Sequence, residues 1–368
     1  MKYISEFRQQ DLALQLANAL AQTVVPDRHY RLMEFCGGHT HAIFRYGVQD
    51  LMPPNVEFIH GPGCPVCVLP TGRIDNAIQL VEQQDVILCT YADLMRVPAT
   101  GRNSLLKAKA GGGDIRMVYS TQDVLKIVRE NPARQVVFFA IGFETTTPPT
   151  AVAIQQAQAE GLANFSVFCN HVLTPAAMQA ILDAPQPVAI DAFLGPSHVS
   201  TVIGSQPYET FAERYAKPIV IAGFEPLDVM QSALMLIRQL NEGRHEVENE
   251  YRRAVTRQGN LKAQALVRDV FELRPQFEWR GLGLIPNSAL KLQAGYAEFD
   301  AEQRFNMPAI KASDVKGCEC PAILRGAKKP QDCKLLGTVC TPENPMGSCM
   351  VSSEGACAAY WSYGRARA

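Results

Sequence analysis

The stretch RLMEFCGGHTH, residues 31–41, joins an apolar run to a cysteine followed by glycines and histidines. Arg31–Phe35 is predicted to form a buried strand, and the residues that follow the glycines have the spacing of an amphipathic helix. Cys36 would then lie at the carboxyl end of a strand, where α/β folds bind their ligands. The stretch therefore predicts an α/β fold with a functional thiol at a sheet edge.

Short apolar runs alternate with helical stretches up to residue 222, which is typical of βαβ units around a mostly parallel sheet. The predicted strands are Arg31–Phe35, Val56–His60, Val86–Tyr91, Ile115–Tyr119, Val136–Ile141, Phe165–Cys169, Ala189–Leu194 and Ile219–Ala222. The glycines at 111–113 suggest a break between two small α/β domains, at 30–114 and 115–224.

The two ends of the chain differ in sequence pattern from the α/β region between them. Residues 1–29 contain an amphipathic helix that we expect to pack on the C-terminal domain. Residues 225–368 are predicted to form that domain, with helices near 226–242 and 246–256, followed by a loop-rich tail from about residue 317. The predicted fold class is thus α/β, with two small parallel-sheet domains and a helical, loop-rich third domain.

Charge and hydropathy argue against nucleic-acid binding and against a membrane-spanning segment. The chain has 35 basic and 36 acidic residues, a net charge of -1, so its overall charge does not indicate nucleic-acid binding. Its longest apolar runs are of strand length, far short of the roughly 20 residues that span a bilayer. No export signal is recognisable at the N-terminus. We expect a cytoplasmic protein without membrane or nucleic-acid partners.

Cysteines are concentrated in the tail. Six of the eleven lie within residues 318–357, at positions 318, 320, 333, 340, 349 and 357. Thiols in a reducing compartment serve metal or redox chemistry more often than structural disulfides. The surrounding glycines and prolines leave too little apolar periodicity for a separate core, so a bound metal would have to order the segment.

The spacing of these cysteines favours a 4Fe-4S cluster. Structural zinc sites use tight C-x2-4-C pairs, which the tail lacks, whereas a cubane cluster accepts widely spaced thiolates. Zinc, a disulfide or inert thiols remain alternatives. The preferred ligands are Cys320, Cys333, Cys340 and Cys357, with Cys318 as the main substitute and Cys349 as a weaker one.

A second set of thiols lies near the N-terminus. Cys64 and Cys67 form a C-x-x-C pair that follows the strand at 56–60, just as Cys36 follows its own strand. Loops that leave the carboxyl ends of parallel strands lie at one sheet edge, so the three thiols are expected to converge. A helix N-terminus would lower the pKa of Cys36. His39 and His41 would flank the cleft as candidate ligands or proton carriers, although packing is the commoner role.

Other motifs are weaker. Cys89 and Cys169 end apolar strands and are interpreted as core residues. The loop GFETTTPP at 142–149 precedes a helix and predicts either an anion site or a capped turn. In GPSHVS, residues 195–200, serine and histidine are adjacent, but the nucleophile elbow of hydrolases is absent, so a catalytic triad is rejected.

Four literal strings together resemble the HypD family of hydrogenase maturation factors: CGGHTH at 36–41, GPGCPVC at 61–67, GFETT at 142–146 and VSSEGACAAY at 351–360. The tail spacing C-x12-C-x6-C-x16-C from Cys320 resembles it as well. One difference is Pro321, which stands where the family usually has glycine, beside the additional Cys318. The resemblance covers essentially the whole chain.

The resemblance implies a scaffold for assembling the Fe(CN)2CO unit of nickel-iron hydrogenase. It implies complexes with a HypC-like chaperone and with a HypE-like cyanide donor that acts as a pair with HypF, and indirectly with the hydrogenase large subunit. It assigns iron and redox roles to Cys36, Cys64 and Cys67, and a functional role to Glu354. An iron-sulfur-dependent thiol/disulfide oxidoreductase and a zinc-stabilised binding protein remain rival hypotheses from the residues themselves.

Overall fold

A computed structural model describes residues 5–185 and 188–365. Its strands, in chain order, are β1 Tyr30–Glu34, β2 Val56–His60, β3 Val86–Thr90, β4 Ile115–Met117, β5 Gln135–Gly142, β6 Phe165–His171, β7 Ala192–Pro196, β8 Ile219–Ala222, β9 Val247–Asn249, β10 Phe271–Trp279 and β11 Gly283–Leu292. All eight predicted strands are present, although β7 begins and ends later than expected.

The α-helices are α1 Gln10–Thr23, α2 Gly37–Tyr46, α3 Pro65–Val68, α4 Thr71–Gln83, α5 Leu105–Ala110, α6 Thr121–Glu130, α7 Thr147–Glu160, α8 Thr174–Leu182, α9 Ser197–Ile203, α10 Glu209–Tyr215, α11 Pro226–Glu242, α12 Leu261–Val270, α13 Ala301–Arg304, α14 Cys320–Leu324 and α15 Ala356–Ala359. Short 3-10 turns connect several of them, at 5–8, 48–51, 92–96, 100–102, 206–208, 294–299, 330–332 and 348–350, and a π-helical turn covers 360–364. Among the described residues, no helix is long and apolar enough to cross a membrane.

Nine of the eleven strands in the described residues form two parallel sheets, which confirms the predicted α/β class. The first has the order β2-β1-β7-β8-β9 and the second the order β4-β3-β5-β6. This pairing differs from the expected division at residue 114, because β3 and β4 lie on either side of that boundary and pair directly, Leu88 with Ile115. Likewise β1 pairs with β7, Leu32 with Ala192. The chain therefore leaves the first sheet, completes the second and returns.

The segment after α11 differs from the sequence prediction. The helix at 226–242 is confirmed, but the helix expected at 246–256 is wrong, because Val247–Asn249 extends the first sheet as β9. A long antiparallel hairpin, β10 with β11, follows α12. The hairpin was not predicted. Its first strand carries buried Phe277 and Trp279, which pack into the core between the sheets.

Among the residues that the structure describes, three apolar clusters hold these layers together. One lies between the first sheet and the helices α1 and α11, and includes fully buried Leu20, Leu32 and Val220. A second covers the outer face of the second sheet, around Phe138 and Phe165. The third and largest contains apolar residues of both sheets and also the tail cysteines. The tail thus has no separate core and is buried against the sheets.

Candidate functional site

Cys36 lies immediately after β1, at the start of α2. Its backbone is extended, with φ -149° and ψ 127°, and 6% of the residue is exposed. The Gly37 amide donates to the Gly63 carbonyl at 3.1 Å. A β-carbon on Gly63 would come within 2.6 Å of the Cys36 backbone, so only glycine permits this approach. The loop after β2 is therefore packed directly against Cys36.

Cys64 and Cys67 are joined in a disulfide, with their α-carbons 5.2 Å apart. They bracket the first turn of α3, where Pro65 occupies the first helical position and the Cys67 amide donates to Cys64 Sγ at 3.2 Å. Both are buried, at 3% and 0% exposure. Since the Gly63 loop carries this pair against Cys36, the structure brings together the three thiols that the sequence assigned to one cleft.

A buried carboxylate holds the Cys36 turn in place. Glu34, the last residue of β1, is fully buried and accepts from the Cys36 amide at 3.0 Å, from the Thr40 hydroxyl and from His60 Nδ1 at 2.8 Å. Sequence reasoning missed Glu34 and His60. The signal was present, because a charged residue inside an apolar strand and next to a cysteine motif is buried only with partners.

The pKa of Cys36 corrects one expectation. Burial raises the pKa of this thiol above its ordinary value, and the carboxylates of Glu354 and Glu34 raise it further. The amides of Gly38 and His39 at the helix terminus oppose the rise without cancelling it. The prediction that the helix would lower this pKa is wrong because desolvation is the larger effect.

His198 lies next to Cys36, with its Nδ1 3.8 Å from Cys36 Sγ. Its ring packs on Phe224, with centroids 4.1 Å apart, while the residue remains accessible to solvent. Burial lowers the pKa of this imidazole, which favours the neutral ring that can bind a metal. The GPSHVS motif had suggested only a catalytic triad, which was rejected. The proximity of His198 to Cys36 could not be predicted because it depends on the pairing of β7 with β1.

The two histidines of the Cys36 motif are placed differently. His39 is fully buried and donates from Nε2 to the Ala222 carbonyl at 2.9 Å, and burial lowers its pKa. Its Nδ1 has no hydrogen-bond partner among the described residues. His41 is half-buried and donates to the Ser353 carbonyl at 3.4 Å. Both contacts are those of packing residues, and a ligand role for His39 stays a prediction.

Glu354 brings the tail to the cleft. A β-carbon on Gly37 would come within 2.9 Å of its Oε2, so the carboxylate lies against the first turn of α2. Burial raises the pKa of Glu354, and Asp93 and Glu34 raise it further. The acidic residue singled out by resemblance is therefore a neighbour of Cys36, although it is 318 positions away in the sequence.

The six tail cysteines line one small cavity of about 10 Å³, together with Leu335, Leu336, Gly347 and Met350. Cys320, Cys333, Cys340, Cys349 and Cys357 are buried, and Cys318 is partly exposed. Cys89 and Cys169 are buried elsewhere, at 0% and 1% exposure, as expected of core residues. The cavity therefore contains both the preferred ligand set and its two substitutes.

The donor chemistry of this cavity fits an iron-sulfur cluster, which is held by thiolates in apolar surroundings. Within residues 5–185 and 188–365, no three His, Cys, Asp or Glu side chains are grouped as around a single metal ion. A hydrogen bond from the Cys318 thiol lowers the pKa of Cys320, while that of Cys318 is raised.

Ser348 lies between the disulfide and the cysteine cavity. Its hydroxyl donates to the Cys67 carbonyl at 2.8 Å and lies 3.6 Å from Cys320 Sγ, and its carbonyl is 3.8 Å from Cys67 Sγ. The residue is fully buried. No feature of the sequence pointed to it, because its position follows from the docking of the tail.

The threonine hydroxyls of the GFETT loop form hydrogen bonds within the loop itself. Thr146 and Thr147 donate to the Phe143 carbonyl at 2.9 and 3.2 Å, as in a capped turn. Glu144 is buried, accepts from the amide and hydroxyl of Thr174, and has its pKa raised to about 7 by burial. Of the two interpretations left open by the sequence, these contacts favour the structural turn.

Comparison with known proteins identifies the family of the chain. Residues 11–364 match the HypD family profile, described as "Hydrogenase formation hypA family". The chain is 66% identical to hydrogenase maturation factor HypD2 of Bradyrhizobium diazoefficiens, over 100% of this chain and 98% of the relative. It is 64% identical to HypD of Azotobacter vinelandii, with the same coverage, and 47% identical to HypD of Escherichia coli K12, over 99% and 98%. The chain belongs to the HypD family of hydrogenase maturation factors.

Proposed function

We propose that this protein is the scaffold and redox factor on which the Fe(CN)2CO unit of nickel-iron hydrogenase is assembled. It works in the cytoplasm with a HypC-like chaperone and receives cyanide from a HypE-like donor that acts as a pair with HypF. The finished unit then reaches the hydrogenase large subunit. Support for this assignment comes from family membership and from the cleft around Cys36.

The observation that carries the proposal is the position of Cys36. Its thiol lies beside a solvent-accessible imidazole, His198, and against the loop that bears the Cys64–Cys67 disulfide. Low-valent iron prefers soft thiolate and imidazole ligands, and its handling requires a nearby source of electrons. The iron is the substrate here: Cys36 binds it, His198 is the second candidate ligand, and partner proteins complete the coordination.

The Cys64–Cys67 pair stores the reducing equivalents. Opening the disulfide takes up two electrons and two protons and gives two thiols, and closing it returns them. Because both cysteines are buried, reductants in solvent reach the pair only slowly. The Cys67 amide, which donates to Cys64 Sγ, stabilises a thiolate at that position after opening.

The tail cavity is the site of the resident cofactor. Cys320, Cys333, Cys340 and Cys357 hold a 4Fe-4S cluster, with Cys318 as the substitute for Cys320. When bound, the cluster supplies single electrons. The chain's own residues exclude water through Leu335, Leu336 and Met350, and bring Cys320 within contact of Ser348.

Metal analysis of protein purified without oxygen tests the cofactor directly. We expect a coloured protein with iron and acid-labile sulfide in equal amounts, and no stoichiometric zinc. A colourless zinc protein would contradict the cluster and support the third hypothesis, a zinc-stabilised binding protein.

A thiol/disulfide oxidoreductase is the second candidate, because a C-x-x-C disulfide lies close to a thiol-rich cavity. The burial of both cysteines argues against it, since a substrate disulfide must reach one sulfur. Incubation with small disulfides and a chemical reductant separates the two: an assembly factor changes thiol state once per chain, whereas an oxidoreductase turns over many times.

A further inference from the structure

Ser348 contacts both redox groups through different atoms. Its hydroxyl hydrogen is engaged by the Cys67 carbonyl at 2.8 Å, which leaves the oxygen to face Cys320 Sγ at 3.6 Å. Its own carbonyl lies 3.8 Å from Cys67 Sγ, in position to accept a hydrogen bond from the reduced thiol. One residue thus spans the gap between a candidate cluster ligand and the disulfide.

The backbone around Ser348 is shaped for this position. A β-carbon at Gly347 would come within 2.5 Å of Cys318 Sγ, so glycine allows the segment to pass against the Cys318–Cys320 turn. On the other side, the Cys349 amide lies 3.4 Å from Cys320 Sγ and donates to it. Residues 347–349 therefore fix the Cys320 sulfur relative to Cys67.

We propose that Ser348 is a positioning residue for electron transfer, which holds the sulfur of Cys320 and the Cys64–Cys67 disulfide in one continuous contact path. The proposal rests on the proposed function, in which the tail holds a cluster that supplies electrons and the disulfide stores them. It adds the route between the two groups and the point of entry: electrons enter the disulfide at Cys67, the cysteine that Ser348 contacts.

The chemistry of the step balances with an external one-electron donor. Two electrons, delivered one at a time, break the Cys64–Cys67 bond, and two protons from solvent complete two thiols. The donor, dithionite in the experiment below, is oxidised by the same two electrons. Ser348 neither gains nor loses a bond to a heavy atom, and its carbonyl accepts the new Cys67 S–H.

The test compares two ways of opening the disulfide in anaerobic, cluster-loaded protein. Dithionite supplies electrons through the cluster, whereas dithiothreitol attacks the disulfide directly by thiol exchange. Samples are quenched at intervals into denaturant that contains a maleimide, and mass spectrometry counts labelled Cys64 and Cys67. We expect Ser348→Ala to slow opening by dithionite about tenfold, to leave opening by dithiothreitol within about twofold, and to retain the visible spectrum.

Two further variants serve as controls. Ser348→Thr keeps the hydroxyl and should restore most of the dithionite rate. Ser166→Ala removes another fully buried serine hydroxyl, one without a hydrogen-bond partner in the described part of the chain, and should leave both rates at the wild-type values.

Three results would overturn the assignment: a wild-type dithionite rate in Ser348→Ala, equal slowing by both reductants, or loss of the cluster from Ser348→Ala with retention in Ser166→Ala. The last result would show that Ser348 stabilises the cavity and has no specific role in electron transfer. Failure of the proposed function is distinct, because the wild-type protein itself would then lack the cluster or keep its disulfide closed under dithionite.

Discussion

The Cys36 cleft and the tail cavity both collect cysteines, but they are built in different ways. In the cleft, Cys36, Cys64 and Cys67 follow adjacent parallel strands, so backbone pairing of β1 with β2 sets their positions. In the cavity, the six cysteines lie on loops and short helices that lack a core of their own. Under the proposed function this difference is expected: rigid strands hold the thiol that exchanges ligands, whereas the tail thiols depend on a bound cluster for order.

The largest effect should follow from removing a preferred tail ligand. Cys333→Ala is expected to abolish the visible absorbance and to make residues 317–357 sensitive to protease, because ligation and folding of this segment are coupled. Absorbance and limited proteolysis measure both effects. The matched control is Cys89→Ala, a buried thiol on β3 outside the cavity, which should keep the spectrum. A tail that stays resistant to protease without the cluster would contradict the idea that a cluster orders this segment.

The stability of the folded protein should depend on pH through Glu144, which lies in the loop after β5. Burial raises its pKa from 4.5 to about 7 in the folded state. The resulting stabilisation is complete below the unfolded pKa and is lost as pH rises through about 7, when the folded state must ionise a buried carboxyl. Between pH 4.5 and 8 the free energy of unfolding should fall on the order of 3 kcal/mol more in wild type than in Glu144→Gln.

Urea unfolding at several pH values measures this difference. The exposed Glu82→Gln serves as the control and should follow the wild-type profile. Parallel profiles for wild type and Glu144→Gln would show that this carboxyl ionises freely in the folded protein.

The close approach of the two strand-end loops predicts a smaller effect. Gly63→Ala places a methyl group against the Cys36 backbone and should lower the free energy of unfolding by about 2 kcal/mol. Gly295→Ala adds the same methyl where no atom lies within 4 Å and should cost far less. Denaturant unfolding compares the two variants, and equal stabilities would contradict the packing of the Gly63 loop on Cys36.

The smallest effect should come from His198. Its contact with Cys36 Sγ is long, at 3.8 Å, so His198→Ala should weaken iron retention by the complex about tenfold without abolishing it. Iron analysis after desalting measures retention. His245→Ala removes an exposed histidine that precedes the edge strand β9, and this variant should retain iron as wild type does. Equal retention in the two variants would leave His198 outside the iron site.

Much of this architecture could be predicted from the sequence, because parallel strands are short apolar runs and their carboxyl ends lie together. That rule sufficed to bring Cys36 near Cys64 and Cys67. The β10–β11 hairpin also had a signal, since Phe271, Leu273, Phe277 and Trp279 alternate with polar residues. Pro275 interrupts that alternation, and the register shifts there.

What could not be predicted depends on contacts between distant segments. The pairing of β1 with β7 brings His198 to Cys36, and the docking of the tail brings Ser348 to Cys67 and Glu354 to Gly37. The net pKa of Cys36 was missed for the same reason, because the sequence shows the helix terminus but not the depth of burial.

The most direct test of two separate sites is Cys36→Ala with two signals read from one sample. In complex with the chaperone, the variant should lose the substrate iron while the visible absorbance of the tail cluster and the reducible Cys64–Cys67 disulfide remain. Retention of the substrate iron, or equal loss of the iron and the cluster absorbance, would contradict the division of tasks between the cleft and the cavity.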